Sequence, residues 1–183
     1  MNSSSTPNNN IAALKKAAAV RLMIFDVDGV LTEGTLQFGA EGEVCKTFNV
    51  LDGQGIRLLQ AAGIQTAIIS ARQSPIVAKR AADLEIAHVM QGIHDKKTAF
   101  LELSAVLNIA AANCGYIGDD IIDLPVLSRV GFSASVPNGH SEVKSRVDYL
   151  TQSSGGQGAV RELCDFILQA QGKYDDMLAR FLA

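Results

Sequence analysis

Residues 20–32 have the sequence VRLMIFDVDGVLT, in which an apolar run ends at two aspartates and a glycine. A short apolar run bounded by turn-forming residues is typical of a strand buried on both faces, so we predict a strand over residues 20–25. Residues two apart in an extended segment point to the same side. Asp26 and Asp28 are therefore expected to converge just beyond the sheet edge, although an isolated Asp-x-Asp-Gly is as often a plain turn.

Downstream of this stretch, short apolar runs alternate with amphipathic segments. The alternation predicts an α/β fold with a doubly wound, mostly parallel, Rossmann-like sheet that helices cover on both faces. Ligands of such sheets bind at the carboxyl ends of the strands. The further predicted strands are residues 65–69, 87–90, 113–117, 130–134 and 148–150, and the predicted helices are 55–62, 75–83, 96–107, 120–128 and 162–171.

Residues 34–50 break this alternation. Two short segments flank the turn-forming sequence GAEG at residues 39–42, which predicts a β-hairpin inserted after the first strand. A lone hairpin is marginally stable in water, so this one is expected to pack on something else, such as another subunit. The remaining intervals leave no room for a separate cap domain.

Composition and charge limit the classes of protein to consider. Residues 1–10 are polar and low in complexity, which predicts a disordered lead-in rather than a secretory signal, followed by a single domain over residues 11–183. The net charge of −3 and the lack of a basic run give no support to a nucleic-acid partner. No apolar stretch approaches the roughly 20 residues of a membrane span, and three widely spaced cysteines form no disulfide framework. We therefore expect a cytoplasmic protein.

Three further polar elements follow predicted strands. Ser70 ends the second strand, Lys96 begins the helix after the third, and Asp119 and Asp120 follow the fourth, with Asp123 three residues on. Each has an ordinary explanation when taken alone, as a helix-initiating serine, a surface lysine or a helix cap. Together with the first aspartate pair, they place four elements at the carboxyl ends of strands, which points to one shared site.

The segments DVDGVLT, IISAR, DKKTA and GDDIID resemble the four signature elements of the haloacid dehalogenase phosphatase superfamily. More narrowly, GEVCKTFNVLDGQGI, GGQGAVRE and the small size resemble the 3-deoxy-D-manno-octulosonate 8-phosphate phosphatase family. The resemblance implies a Mg²⁺-dependent phosphatase that hydrolyses this sugar-acid phosphate through an aspartyl-phosphate, in lipopolysaccharide precursor synthesis.

The resemblance also assigns roles to matching residues. Asp26 would be both metal ligand and nucleophile, and Asp28 would be the general acid and base while binding Mg²⁺ through its backbone carbonyl. Asp119 matches the remaining acidic metal ligand, with Asp123 in support. Lys96 would offset the charge of the nucleophile and, with Ser70, hold the phosphoryl oxygens; the family motif favours it over the adjacent Lys97.

Four residues are candidates for substrate binding. Ser70 would contact the phosphate, and Thr32 lies in the loop that carries the first two aspartates. Arg72 would bind the carboxylate of the sugar acid, because the arginine fork suits that group, and Arg80 is a further candidate on the following helix. For the glycine-rich residues 155–158, a flexible turn is a better interpretation than an anion cradle.

Several alternatives stay open at this point. The substrate could be the 9-phosphate of a nine-carbon sugar acid, of the sialic acid or KDN type. The chain could instead be a phospho-accepting signalling domain, which would not need Asp28, or a non-catalytic interaction module. A site without a cap domain is open, so the resemblance also implies a homo-oligomer, a tetramer, with the hairpin at the interface and residues 173–183 close to a neighbour's site.

Overall fold

The structure, a computed structural model, describes residues 7–182. Its centre is a six-stranded sheet in the order β5-β4-β1-β6-β7-β8, and every neighbouring pair of strands is parallel. The predicted doubly wound parallel sheet is therefore confirmed. The six strands are β1 (Leu22–Phe25), β4 (Gln65–Ile69), β5 (His88–Met90), β6 (Cys114–Ile117), β7 (Phe132–Ser135) and β8 (Tyr149–Leu150).

Helices cover both faces of this sheet. Met23 and Phe25 of β1 face one hydrophobic cluster, and Leu22 and Ile24 face another, as the alternation of side chains along a strand requires. All four residues of β1 are fully buried, which explains why its sequence is a continuous apolar run. The helices are α1 (Pro7–Ala18), α2 (Val50–Ala61), α3 (Pro75–Asp83), α4 (Lys96–Val106), α5 (Leu124–Leu127), α6 (Ser141–Lys144), α7 (Ala159–Ala170) and α8 (Tyr174–Ala179), with short 3₁₀ turns at Ala111–Asn113 and Ile121–Asp123.

The order of the strands places a topological switch beside β1. The chain moves from β1 outward through β4 to β5, then crosses to the other side of β1 and continues through β6, β7 and β8. Loops that leave the carboxyl ends of β1 and β6 therefore diverge to opposite faces and open a crevice between them. This crevice is where the residues that follow β1 and β6 meet.

The predicted hairpin is also present, as a separate antiparallel sheet of β2 (Gln37–Gly39) and β3 (Gly42–Cys45). It has no backbone pairing with the main sheet, and Phe38 at 61% and Val44 at 60% are largely exposed. Between β1 and α2 the chain forms this hairpin and no larger domain. Among residues 7–182, the hydrogen bonds and ion pairs that join the hairpin to the body of the protein are made by side chains.

Several helix boundaries differ from those predicted from the sequence. α2 begins at Val50 rather than at residue 55, because the side chain of Asn49 accepts a hydrogen bond from the backbone N–H of Leu51 and caps the helix. α7 begins at Ala159, three residues earlier than predicted. The predicted single helix over residues 120–128 is a 3₁₀ turn followed by α5.

The first helix was not predicted. α1 begins at Pro7, inside the residues 1–10 assigned to a lead-in, while residues 1–6 lie outside the described part of the chain. Proline suits the first turn of a helix, where its missing N–H is not needed. The buried side of α1 is formed by Ala13 and Ala17, and such small residues give a weak hydrophobic period. Among residues 7–182, no helix is long and apolar enough to cross a bilayer.

Candidate active site

The polar residues predicted to share a site lie at one edge of the sheet. Asp26 follows β1, Ser70 follows β4, Asp119 follows β6 by two residues, and Lys96 is the first residue of α4. Because the strands are parallel, their carboxyl ends bring these side chains to the same side. The arrangement follows from strand order rather than from proximity in the sequence.

A buried ammonium group joins two carboxylates at the centre of this edge. Lys96 Nζ lies 2.7 Å from Asp26 Oδ1 and 2.7 Å from Asp123 Oδ1. Lys96 is 2% exposed, Asp26 is 6% exposed and Asp123 is fully buried. A charge removed from water needs such partners, so these contacts hold the lysine against the proposed nucleophile.

Asp123 supports this arrangement with both of its carboxylate oxygens. Oδ1 accepts hydrogen bonds from Lys96 and from the hydroxyl of Tyr116, the latter at 2.7 Å. Oδ2 accepts the backbone N–H groups of Asp119 at 3.0 Å and Asp120 at 3.2 Å. Asp123 therefore fixes both the lysine and the loop that carries Asp119.

Tyr116 is a member of the site that the sequence analysis missed. It lies fully buried on β6, and Lys96 donates a 3.3 Å hydrogen bond to its hydroxyl oxygen. Burial and the nearby carboxylates raise the pKa of Tyr116 well above its ordinary value, so the hydroxyl stays protonated and donates to Asp123. The sequence offered one signal for Tyr116, namely its position near the carboxyl end of the strand that leads to Gly118 and Asp119.

Asp119 brings a third carboxylate to the cluster. Oxygen atoms of Asp26, Asp119 and Asp123 all lie within 4.8 Å of one another. Burial, followed by the charge of Asp123, raises the pKa of Asp26 to about 7, against the opposing effect of Lys96. Burial and the charges of Asp26 and Asp123 raise the pKa of Asp119 to about 8.

This donor set fits a hard divalent cation. Three carboxylates face one buried ammonium, and within residues 7–182 no hydrogen-bond donor pairs with the Asp119 carboxylate. Mg²⁺ prefers such oxygen ligands, and one or two carboxylates commonly hold it. Asp26 and Asp119 are the residues with oxygens available for it, whereas hydrogen bonds already occupy both oxygens of Asp123.

A glycine allows the loop after β1 to approach Asp119 closely. Gly29 has φ of +98°, and a Cβ atom there would lie 2.1 Å from Asp119 Oδ2. Any side chain at this position would displace the carboxylate, besides straining the backbone. The Asp-x-Asp-Gly sequence is thus part of the site and not an isolated turn.

Asp28 is less buried than Asp26 and contacts the hairpin. Its Oδ1 forms an ion pair with Lys46, and its Oδ2 lies 3.7 Å from Arg72 Nε. Lys46 also pairs with Glu43 at 2.8 Å. The sequence analysis did not identify Lys46 or Glu43, because the direction in which a hairpin folds back is not encoded in its alternating pattern.

Ser70 and Arg72 lie side by side next to these groups. Ser70 is buried at the end of β4, and its hydroxyl oxygen accepts a 3.3 Å hydrogen bond from the backbone N–H of Arg72. The Arg72 guanidinium stands 5.7 Å from the centroid of the Phe38 ring and 3.6 Å from Glu43. The hairpin therefore holds this arginine beside Asp28.

The other two substrate-binding candidates have different surroundings. The hydroxyl of Thr32 donates to the backbone carbonyl of Val27 at 3.4 Å and accepts from the N–H groups of Gly29 and Gly34, so it holds the loop together. Arg80 donates to the backbone carbonyl of Asn49 at 3.5 Å, 5.8 Å from the Phe48 ring centroid. The contacts of Arg80 are thus with the end of the hairpin segment and not with the carboxylates.

The glycine-rich residues 155–158 pack on the loop after β1 instead of forming a free turn. The Asn138 side chain donates to the Gly29 carbonyl at 3.1 Å and accepts from the Gly155 N–H at 2.8 Å. A Cβ atom at Gly155 would lie 1.7 Å from the Gly29 carbonyl oxygen. Glycine is needed here for close approach between two loops, and Asn138 joins them.

Comparison with known sequences agrees with this geometry. A family model described as haloacid dehalogenase-like hydrolase matches residues 80–163. The chain is 47% identical over 163 residues to 3-deoxy-D-manno-octulosonate 8-phosphate phosphatase KdsC of Escherichia coli strain K12. The alignment covers 89% of this chain and 87% of that protein.

Solved structures with the same fold are similar in sequence as well. The 3-deoxy-D-manno-octulosonate 8-phosphate phosphatase of Moraxella catarrhalis, in complex with magnesium, phosphate and KDO, matches with a TM-score of 0.90 and 43% identity, over 92% of this chain and 97% of that one. The cobalt-bound deoxy-D-mannose-octulosonate 8-phosphate phosphatase of Haemophilus influenzae matches with a TM-score of 0.88 and 44% identity, over 92% and 99% of the two chains.

Proposed function

The chain belongs to the haloacid dehalogenase-like hydrolases and, within them, to the 3-deoxy-D-manno-octulosonate 8-phosphate phosphatase family, and from this membership we propose its reaction. It is a Mg²⁺-dependent phosphatase that hydrolyses 3-deoxy-D-manno-octulosonate 8-phosphate to the free sugar acid and phosphate. The family resemblance seen in the sequence motifs is confirmed by these relatives. The place of the reaction in lipopolysaccharide precursor synthesis follows from that substrate.

The observation that carries this proposal is the buried cluster at the carboxyl edge of the sheet. Asp26, Lys96 and Asp119 are close together in a chain whose 43% identical structural relative is described with magnesium, phosphate and KDO bound. A carboxylate with its charge offset by a lysine is what attack on an anionic phosphate monoester requires. The fold and the family thus agree with the chemistry of the side chains.

We propose that the reaction proceeds in two steps. A carboxylate oxygen of Asp26 attacks phosphorus, the P–O bond to the sugar breaks, and Asp28 gives its proton to the departing sugar oxygen. Water then attacks the aspartyl-phosphate, Asp28 takes a proton from that water, and phosphate leaves with Asp26 restored. Mg²⁺ bound to Asp26, Asp119 and the backbone carbonyl of Asp28 would supply positive charge that offsets the phosphate oxygens.

Other residues of the chain would bind and orient the substrate. Lys96 and Ser70 are proposed to hold the phosphoryl oxygens, and Thr32 would act by holding the loop of Asp28 in place. Arg72 is proposed to bind the carboxylate of the sugar acid, because it is the exposed cation nearest to Asp28. Arg80 stays a candidate for the same carboxylate, although its present contacts are with Asn49.

Phosphate release with Mg²⁺, measured across a panel of phosphorylated sugars and sugar acids, tests this function. We expect a strong preference for 3-deoxy-D-manno-octulosonate 8-phosphate and a loss of at least about 1,000-fold in kcat for Asp26→Asn, which removes the nucleophile. Preference for a nine-carbon sugar acid 9-phosphate would keep the mechanism and change the substrate. A long-lived aspartyl-phosphate without turnover would favour a signalling domain, and no reaction at all an interaction module.

We also propose a homo-oligomer, a tetramer by family resemblance, located in the cytoplasm. Support comes from the hairpin and the start of α2, where large apolar side chains are exposed and would be covered by a neighbouring subunit. Light scattering on the purified protein would measure the number of subunits, and a monomer would contradict the proposal. The exposed side chains are Leu36, Phe38, Val44, Val50 and Leu51.

A further inference from the structure

A second charged cluster connects the hairpin to the active site. We name it the hairpin cluster and define it as Asp28, Glu43, Lys46, Arg72 and Ser74. It contains two carboxylates and two cations, so its formal charge is balanced. Glu43 and Lys46 belong to the hairpin segment, and the other members lie in the loops after β1 and β4. Because the hairpin has no backbone pairing with the main sheet, this cluster is a principal attachment.

Lys46 lies at the centre of the cluster. Its ammonium forms ion pairs with Asp28 and with Glu43, and its side chain is 1% exposed. An ammonium so fully removed from water is held in one position by its partners, because leaving it without either carboxylate would be costly. Lys46 therefore fixes the direction of the Asp28 carboxylate through Oδ1.

Glu43 in turn fixes Lys46 to the body of the protein. Its Oε2 accepts a 2.7 Å hydrogen bond from the hydroxyl of Ser74, the residue that precedes α3. The backbone N–H of Ser74 donates to Gln91 at 2.8 Å, which anchors the beginning of α3 to the segment after β5. The path from α3 through Glu43 and Lys46 to Asp28 consists of direct contacts.

We infer that Lys46 is a positioning residue for Asp28, and that the hairpin thereby takes part in catalysis within its own chain. The inference rests on the proposed function, in which Asp28 donates a proton to the departing sugar oxygen as the P–O bond breaks. Proton transfer of this kind depends on the distance and direction between acid and leaving oxygen. Lys46 holds Oδ1 of Asp28, while Oδ2 lies 3.7 Å from Nε of Arg72, the residue proposed to bind the carboxylate of the sugar acid.

Leaving groups of different basicity separate this role from general structural support. A sugar alkoxide is strongly basic and needs the proton, whereas p-nitrophenolate is a stable anion and leaves without it. Misplacing Asp28 should therefore slow hydrolysis of the sugar phosphate much more than hydrolysis of p-nitrophenyl phosphate. Damage to the fold, to Asp26 or to metal binding would slow both substrates alike.

The experiment measures kcat and KM of the full chain with Mg²⁺ for 3-deoxy-D-manno-octulosonate 8-phosphate and for p-nitrophenyl phosphate. For Lys46→Met we expect kcat to fall about 30-fold on the sugar phosphate, a part of the 10²–10⁴-fold that general acid catalysis contributes, and less than about threefold on the aryl phosphate. Lys46→Arg, which keeps a cation, should recover part of the loss. Lys79→Met, at an exposed lysine of α3, is the matched control and should leave kcat unchanged on both substrates.

Three results would overturn the inference. Equal losses on both substrates would show that Lys46 only supports the fold, and unchanged or faster hydrolysis of the sugar phosphate would show that it does not position Asp28. If wild-type protein hydrolyses neither substrate, the proposed function fails and the inference fails with it. Should Lys46→Met not fold, Glu43→Gln provides the same comparison, since it removes the carboxylate that holds Lys46 from the other side.

Discussion

The candidate active site contains two lysines, each placed between two carboxylates, in very different surroundings. Lys96 joins Asp26 and Asp123 at the edge of the central sheet, and Lys46 joins Asp28 and Glu43 beneath the hairpin. Both ammonium groups are nearly inaccessible to water. The carboxylates around Lys96 are also nearly inaccessible, whereas those around Lys46 keep 12 to 19% of their side-chain surface exposed.

The difference lies in what supports each lysine. Lys96 begins an eleven-residue helix and is held by Asp26 directly after β1, by Tyr116 on β6 and by Asp123 in the 3₁₀ turn that follows β6. Lys46 directly follows β3 of a two-stranded hairpin that has no backbone pairing with the main sheet. A lysine between two carboxylates therefore supports one proposed catalytic aspartate from the core of the fold and the other from the hairpin.

The largest expected effect is that of breaking the buried pair. Lys96→Met leaves Asp26 and Asp123 without their cation in a place shielded from water, so we expect the free energy of unfolding to fall by about 3–5 kcal/mol. Turnover should fall by more than about 1,000-fold, since the charge that offsets the nucleophile is lost. Urea unfolding and phosphate release measure the two effects.

Lys46→Met is the matched change in the other cluster. The carboxylates of Asp28 and Glu43 are partly exposed and can turn to water once the lysine is gone. Urea unfolding should therefore show the free energy of unfolding falling by about 1 kcal/mol. Equal losses of stability for the two substitutions would contradict the distinction between a core-supported and a hairpin-supported lysine.

The buried carboxyls also predict the sign of the pH dependence of the metal-free protein. The carboxyls of Asp26 and Asp119 have pKa values of about 7 and about 8 in the folded state, against 3.8 as the ordinary value. Between about pH 4 and pH 8 the folded protein keeps protons that the unfolded chain releases, so the free energy of unfolding falls as pH rises through this window. Thermal unfolding in EDTA measures this trend.

Magnesium should remove much of this pH dependence, because a cation replaces the bound protons. We expect the rise in melting temperature on adding Mg²⁺ to be larger at pH 8 than at pH 6, by roughly 5 °C. Asp119→Asn removes one of the two carboxyls, so in EDTA the melting temperature of this variant should depend less on pH than that of the wild-type protein. Stability that rises with pH in EDTA would refute this account of the buried cluster.

The smallest effect is expected for Tyr116→Phe, which removes one hydroxyl and keeps the ring. Asp123 loses one hydrogen bond but keeps Lys96, so the free energy of unfolding should fall by about 1 kcal/mol and kcat by a factor of about five. Tyr149→Phe is the control, since the Tyr149 hydroxyl donates to Glu162 outside the site. Tyr149→Phe should lower the free energy of unfolding by a similar amount and leave kcat unchanged. Equal kcat values for the two variants would argue against a role for Tyr116.

The sequence predicted the part of the site that strands present directly. Asp26, Ser70 and Asp119 follow strands of a parallel sheet, and Lys96 follows a capping residue, so their convergence could be inferred from strand order alone. Their partners could not be inferred in the same way. Tyr116 differs from any buried strand tyrosine through its contacts with Lys96 and with Asp123, seven residues further along the chain.

The hairpin was predicted as an element but not as a contributor to the site. Which of its faces turns toward Asp28 depends on the packing of Phe38 under Arg72 and on ion pairs between residues far apart in sequence. Arg80 is the opposite case. The sequence suggested it as a substrate-binding residue, but its guanidinium donates to the backbone carbonyl of Asn49. Local pattern fixes where a strand ends, whereas side-chain partners across loops are decided by tertiary packing.

The central position of β1 has a consequence for the time course of biosynthesis. On the ribosome this apolar strand is made early, yet its register partner in β6, Cys114 opposite Leu22, is made about 90 residues later. At a translation rate of about 5–20 residues per second, the nascent chain carries an unpaired edge of β1 for about 5–18 s. During that interval the sequence LMIF is open to misassociation, and a chaperone that binds short apolar segments would find its target there.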